Sequence, residues 1–278
     1  EDFVSMVNNS TICIIGGYDE LSQSLFKTLK IKYKSTIFIN LLSTTYYENN
    51  LYNFNIFELK KILELLKIRN VKDIIFLGKI VRPDLSKFKN DGIVENYIPS
   101  LLQAYKKGDG AVLDAVVDIF KEHNFRAVSP FKYCEDLSLS NSDVLKKYKE
   151  EDIIDIKKSS KLLDALSEFD NAQSVVCAEG YIIAIEAVEG TDALLNRSWQ
   201  VRKDLDQLKT KSGFLVKKIK KSQSRFIDLP VVGPRTISLI KKANLKGLAI
   251  DIKNTLIYKK EDFLRLAKEY DLIIYDIN

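Results

Sequence analysis

Apolar positions along this chain follow two rhythms that alternate. "STICIIGG" (10–17), "STIFINLL" (35–42) and "DIIFLGKI" (73–80) are short continuous apolar runs, the pattern of strands buried on both faces. Between them, "ELSQSLFKTLK" (20–30) and "IFELKKILELLKIR" (56–69) place apolar residues at helical spacing. Helical pattern resumes in "IPSLLQAYKK" (98–107) and "GDGAVLDAVVDIFKEHN" (108–124), and "FRAVSP" (125–130) reads as a fourth strand. Strands alternating with helices predict a parallel sheet covered on both faces.

A different texture begins near residue 135. "EDLSLSNSDVLKKYKE" (135–150) is polar, turn-rich and without apolar period, which marks a connection between domains. Beyond it, "KKSSKLLDALSEFDNA" (157–172) predicts a helix, "SVVCAEGYIIAIEA" (174–187) a hairpin turning at Glu179–Gly180, and "GFLVKKI" (213–219) a strand. "IDLPVVGPRTISLIKKANLKG" (227–247) sets Gly233 and Pro234 at a helix start. "LAIDI", "TLIYK" and "LIIYDI" supply short strands around the helix "EDFLRLAKEY" (261–270). The fold class is therefore α/β in two domains: a Rossmann-like parallel sheet over 1–134, a linker over 135–150, and a C-terminal α/β domain over 151–278.

Composition narrows the chemistry. A chain of 278 residues, 46% hydrophobic and 29% charged, can bury a core without disulfides. Cys13, Cys134 and Cys177 have no CxxC spacing, so a reducing cytoplasm fits better than a disulfide framework. No apolar run approaches the roughly 18 residues of a membrane span. His123 is the one histidine, which removes the Ser-His-Asp and Cys-His hydrolases and multi-histidine metal sites. The net charge of +5 suits either a mildly basic surface or an anionic partner.

Several loops carry groups for phosphate chemistry. Gly16 and Gly17 end a strand before a helix, where a phosphate can meet backbone N–H groups, although the full GxGxxG fingerprint is absent. Arg82, Pro83 and Asp84 follow a predicted parallel strand, and Lys107, Gly108 and Asp109 open a helix. Each of these loops also has a plain structural reading as a turn or cap. In "AIEAVEGTDALLNR" (184–197), an apolar strand runs into Glu186, Glu189, Gly190, Thr191, Asp192 and Arg197. Asp192 suits a helix N-terminus. Glu186 sits where the pattern requires partial burial, so it must be paired, protonated or bound to a cation. Asp228 precedes the "LPVVGP" turn.

Five blocks in this order, "GKIVRPDL" (78–85), "KKGDGAVLDAVVDIF" (106–120), "AIEAVEGTDALLNR" (184–197), "FLVKKIKKSQSRFIDLPVVGP" (214–234) and "LKGLAIDIKNTLIY" (245–258), resemble the LpxI family of UDP-2,3-diacylglucosamine pyrophosphatases. The resemblance implies a cytoplasmic enzyme of lipid A synthesis in a Gram-negative bacterium, peripheral to the inner membrane. It implies hydrolysis of a UDP-linked diacylated glucosamine lipid to UMP and 2,3-diacylglucosamine 1-phosphate (lipid X), with the lipid held between two domains. Asp228 matches the aspartate that the family treats as catalytic. On that reading Glu186, Glu189 and Asp192 join Asp228 in holding Mg²⁺ or Mn²⁺. Glu186 and Glu189 take part in catalysis, and Arg82, Arg197 and Lys217 offset the pyrophosphate charge. The remaining loop residues, Gly16, Gly17, Pro83, Asp84, Lys107, Gly108, Asp109, Gly190 and Thr191, contact substrate. A homodimer stays open, and no nucleic acid is implied. The chain departs from the family pattern in "GGYDEL" and at Gly110, where an aspartate is usual. Two rival readings remain beside the resemblance: a nucleotide-binding Rossmann oxidoreductase, and a non-catalytic basic module built on "KKIKKSQSR" (217–225).

Overall fold

A computed structural model describes residues 11–33, 35–80, 92–143, 148–169, 172–207, 209–220 and 226–278, with Asp109 placed by its backbone alone. The chain divides into two units. Unit 1 comprises Glu1–Cys134 together with Phe226–Asp228, and unit 2 comprises Glu135–Arg225 and Leu229–Asn278.

Unit 1 is a parallel sheet of β1 (Thr11–Gly16), β2 (Thr36–Asn40), β3 (Leu51–Asn53), β4 (Val71–Phe76) and β5 (Arg126–Ala127), in the order β3-β2-β1-β4-β5. Every residue of β1 and β2 is buried, which is what their unbroken apolar runs demand of central parallel strands. Helices α1 (Glu20–Lys32), α2 (Leu59–Ile68), α3 (Ile98–Tyr105) and α4 (Asp109–Glu122) supply the crossovers. Leu59, Ile62, Leu63 and Leu66 of α2 form one apolar stripe, and they meet Ile15, Ile39 and Ile74 in the core. Ile227, from the late return of the chain, is buried in this same core. Asp73 is buried within β4, where hydrogen bonds from Lys132, Tyr133 and Arg126 satisfy it.

The sequence pattern omits β3, a strand of three residues whose edge position requires little apolar signal. It also runs the third strand on to residue 80, whereas β4 stops at Phe76.

Unit 2 carries a mixed sheet in the order β12-β10-β8-β6-β7. Its strands are β6 (Ser174–Ala178), β7 (Tyr181–Ile185), β8 (Phe214–Lys217), β10 (Gly247–Ile250) and β12 (Ile273–Asp276). β6 is antiparallel to both of its neighbours, β7 and β8, while β8, β10 and β12 are mutually parallel. The hairpin between β6 and β7 turns at Glu179 (φ 53°) and Gly180 (φ 80°), the two left-handed positions of a tight primed turn. One face of the sheet is covered by α6 (Thr191–Asp204), α7 (Pro234–Lys242) and α8 (Lys260–Glu269), which bury Leu194, Leu195, Ile237, Ile240 and Phe263 against Val176, Leu215 and Leu248.

The other face meets α5 (Glu150–Leu166), through Ile156 and Leu163. This helix starts earlier than the pattern at 157 suggested, because its first turn is polar: Asp152 accepts from the Lys149 N–H at 2.9 Å. The segment 135–150, read from sequence as a connection, lies in unit 2, where Leu139 is buried in the core. A two-stranded parallel ladder, β9 (Val231–Val232) with β11 (Leu256–Ile257), completes the unit.

Candidate active site

Strand direction gathers the polar residues of unit 2. β7, β8, β10 and β12 all run the same way, so their carboxyl ends share one edge of the sheet. Glu186 follows β7, Lys217 ends β8, Asp251 follows β10 and Asp276 ends β12. Ser174 opens the antiparallel β6 and so sits at the same edge, in register with Lys217. This is the edge at which α/β sheets collect ligands.

At the centre of the edge lies a buried network. Lys217 is 5% exposed, Glu186 8% and Ser174 fully buried. The Lys217 ammonium donates to Thr191 Oγ1 at 2.7 Å and to Ser174 Oγ at 3.2 Å. Thr191, the first residue of α6, donates in turn to Glu186 Oε1 at 2.8 Å. The other carboxylate oxygen accepts from the Gln173 N–H at 3.3 Å and lies 4.0 Å from Lys217 Nζ. A buried ammonium and a buried carboxylate are tolerable only when paired and hydrogen-bonded. The partner that burial demanded of Glu186 is thus a lysine reached mainly through a threonine.

Gly190 makes this geometry possible. It is the N-cap of α6 at φ 81°, a left-handed backbone, and no atom would lie within 4 Å of an added Cβ. The glycine is there for its backbone freedom rather than for space.

The two remaining carboxylates of the block turn to other cations. Glu189 accepts from Arg197 at 2.6 Å and from the Ala187 N–H at 3.1 Å. The Arg197 hydrogen bond holds its carboxyl below the ordinary glutamate range. Arg197 also donates to the Ile185 carbonyl at 2.8 Å, tying α6 to the end of β7. Asp192 pairs with Arg235 of α7 at 2.7 Å. Glu186, Glu189 and Asp192, close in sequence, therefore face three different basic groups. Among the described residues no three Asp, Glu, His or Cys side chains are grouped so that they could hold a metal ion. The residues described here do not fit the four-carboxylate metal site expected from sequence.

Asp228 is exposed and stands at a junction. It has a left-handed backbone (φ 54°), uncommon for a residue with a side chain. Ile227 before it belongs to the core of unit 1, while Leu229 after it belongs to unit 2. From Pro230 onward the chain is fixed by the β9–β11 ladder, with Leu256 N–H donating to the Pro230 carbonyl at 2.8 Å and Tyr258 N–H to Val232 at 2.8 Å. Asp251 shapes the turn that delivers β11: it accepts from the Lys253 and Asn254 N–H groups at 3.1 and 3.2 Å and from the Asn254 side chain at 2.6 Å. Two of the sequence blocks, "DLPVVGP" and "DIKNTLIY", are thus hydrogen-bonded partners.

Unit 1 gives its candidates a different character. Added Cβ atoms at Gly16 and Gly17 would lie 2.0 Å from the Leu77 carbonyl oxygen and 2.1 Å from that of Lys79. The glycine pair lets the β1 and β4 loops touch backbone to backbone. The start of α1 is occupied by Asp19, which accepts from the Ser22 N–H at 3.0 Å and from the Lys79 N–H at 2.8 Å. A carboxylate at a helix start satisfies the donors that a phosphate would use, so the geometry does not favour a phosphate or dinucleotide at Gly16 and Gly17. Gly108 is the N-cap of α4 at φ 137°, preceded by exposed Lys107. Asp109 is therefore the first helical residue rather than the cap, and its side chain lies outside the described residues. Arg82, Pro83, Asp84 and Arg225 also lie outside them.

Three participants escaped the sequence reading. Ser174 opens β6, Arg235 lies in the first turn of α7 and Asp251 follows β10, and only strand pairing and helix packing show what they touch. Among the described residues no helix is long and apolar enough to cross a membrane. The three cysteines are buried, and none is in a disulfide.

Fold and site together define an α/β protein of two units, the second bearing a charge-paired polar edge at the carboxyl ends of its strands. Family models match nearly the whole of it: the LpxI N-terminal domain over residues 11–137 and the LpxI C-terminal domain over residues 142–275. The chain belongs to the LpxI family. It is 28% identical over 223 residues, 80% of each chain, to a protein of Caulobacter vibrioides named UDP-2,3-diacylglucosamine pyrophosphatase LpxI.

Proposed function

We propose that this chain is a hydrolase that cleaves the pyrophosphate bond of UDP-2,3-diacylglucosamine, giving UMP and 2,3-diacylglucosamine 1-phosphate (lipid X) in lipid A biosynthesis. The observation that carries the reading is the match of both LpxI domains, one after the other, across residues 11–137 and 142–275. Water adds to one phosphorus, the bridging P–O bond breaks, and the two halves leave as phosphate monoesters. No oxidant and no co-substrate other than water is needed.

In this reading Asp228 is the catalytic carboxylate, acting on the attacking water. Its left-handed backbone and exposed side chain suit a residue held in place by its neighbours rather than by its own preference. Lys217, Arg197 and Arg82 offset the charge that accumulates on the phosphoryl oxygens. Arg197 is half exposed and already holds Glu189, so it is oriented before substrate arrives. The proposal includes a requirement for Mg²⁺ or Mn²⁺, which when bound supplies a Lewis acid at the pyrophosphate. Such an ion takes much of its coordination from substrate phosphates and water and needs only one or two protein carboxylates.

We also place the protein in the cytoplasm, peripheral to the inner membrane, where a substrate with two acyl chains resides. Flotation with anionic and neutral vesicles tests this placement; equal failure to bind both rejects it. Sedimentation decides the homodimer.

The primary test is phosphorus NMR of UDP-2,3-diacylglucosamine incubated with the protein, with Mg²⁺ and with chelator. The expected result is metal-dependent appearance of UMP and the lipid 1-phosphate. Asp228→Ala should retain the fold by circular dichroism and lose about 10²- to 10³-fold in kcat. Unchanged substrate from folded parent protein rejects the reaction, and an Asp228→Ala variant with full turnover removes that residue from it.

A further inference from the structure

The carboxylates of the β7–α6 block look from sequence like metal ligands, yet the structure gives each one a basic partner. Glu186 is the deepest of them. Its oxygens are taken up by Thr191 and the Gln173 N–H, and the Lys217 ammonium lies 4.0 Å away. Lys217 in turn reaches two hydroxyls, Thr191 at 2.7 Å and Ser174 at 3.2 Å. Ser174 is itself fixed, since its carbonyl accepts from the Glu186 N–H at 2.9 Å. The four residues come from the start of β6, the position just after β7, the start of α6 and the end of β8, so four neighbouring points of the sheet edge contribute one group each to a single ring of contacts.

We propose that Glu186, Thr191 and Ser174 are positioning residues for the Lys217 ammonium, and that Glu186 is its counter-ion rather than a ligand of the catalytic metal. This rests on the reading of Lys217 as a cation that serves pyrophosphate hydrolysis. Two physical points carry it. A lysine at 5% exposure stays charged only if a negative group and hydrogen-bond acceptors compensate its lost hydration, and these three residues supply both. An ammonium on a flexible four-carbon stem otherwise samples many positions, and the two hydroxyl acceptors restrict it.

Had Glu186 been a metal ligand, its oxygens would be expected to converge with those of Glu189 and Asp192. Instead Glu189 is drawn to Arg197 and Asp192 to Arg235. The block thus organises three cations, with Lys217 at its buried centre.

A double-variant cycle with Glu186→Gln and Lys217→Met tests the proposal. Each single variant should lower kcat by about 10- to 100-fold, the usual cost of a misplaced reacting partner, with little change in KM. The double variant should be no slower than Lys217→Met alone. Multiplying losses would overturn the pairing. Thr191→Ser, which keeps the hydroxyl, should restore most of the turnover lost in Thr191→Val, and Ser174→Ala should lower kcat without raising KM. Equal damage from Thr191→Ser and Thr191→Val assigns Thr191 to packing and rejects its role. The Mn²⁺ concentration for half-maximal rate should be unchanged in Glu186→Gln; a rise of about tenfold or more, the least expected even for a residue that only supports a metal ligand, overturns the counter-ion assignment.

The same cycle read on thermal unfolding needs no substrate. There the double variant should lose less than the sum of the singles, because each single strands a buried charge; additive shifts reject the pairing. An inactive parent protein would sink the proposed reaction, while the thermal cycle would still decide whether Glu186 and Lys217 are coupled.

Discussion

Each unit contains a strand that passes through glycine into a helix, and the two joints do opposite work. At the β1–α1 joint of unit 1, Gly17 lets backbone approach backbone and Asp19 closes the start of the helix. At the β7–α6 joint of unit 2, Gly190 caps the helix with no side chain of its own, and the adjacent Thr191 hydroxyl is drawn into the Lys217 and Glu186 network. A strand-glycine-helix pattern therefore does not by itself indicate a phosphate site. What decides is whether a carboxylate already satisfies the helix start or a buried cation stands beside it.

Substitutions at the two glycines should separate these roles most sharply. Gly17→Ala forces a methyl group against the Lys79 carbonyl, and we expect a loss of about 3 kcal/mol in stability, the upper range of overpacking, seen as a lower urea midpoint. An unchanged midpoint would mean that the joint is looser than described. Gly190→Ala meets no neighbour but must adopt φ 81° with ψ 170°, so it should cost about 1–3 kcal/mol and should also lower kcat, because Thr191 follows directly. If Gly190→Ala were fully active, the joint would not position the network.

Smaller effects sharpen the contrast. Asp19→Ala removes the cap of α1 and should cost about 1 kcal/mol with kcat intact; a loss of turnover larger than the loss of folded protein would return the first joint to the active site. The mildest probe is acid. Burial alone would raise the Asp73 carboxyl, but hydrogen bonds from Lys132, Tyr133 and Arg126 outweigh it and hold the group below the usual aspartate range. Its contribution to stability is complete above the unfolded-state pKa, roughly 3.9, and is lost as pH falls through the lower folded value. Asp73→Asn should therefore flatten the acid limb of the stability curve, measured by circular dichroism in urea. An identical limb in variant and parent removes Asp73 from acid unfolding.

Much of the scaffold is legible in the chain because burial on two faces writes itself as apolar runs. β1, β2 and β8 are recognisable in this way, and α2 by its leucine stripe. The start of α5 is not, since its first turn is held by Asp152 rather than by apolar contacts, and β3 is too short to show a period. Of the candidate site, the sequence identified Glu186 as a carboxylate in need of a partner, since burial of a charge follows from the apolar residues around it. It could not name that partner. Lys217 lies far away along the chain, and only the register of β6 between β7 and β8 brings the two together.

The acidic cluster shows the limit most clearly. Three carboxylates within one short block read as a metal site when position along the chain is the sole guide. Folding sends them in different directions, because Glu186 follows a strand, Glu189 lies in a loop and Asp192 is in the first turn of a helix.

By itself the sequence determined the α/β character and the family, because hydrophobic period and residue chemistry are properties of the chain. The tertiary structure alone decided which groups meet: Glu186 with Lys217, Asp192 with Arg235, and the segment after Asp228 with β11. Those pairings depend on strand order, register and helix packing, which bring together residues that no spacing in the sequence relates.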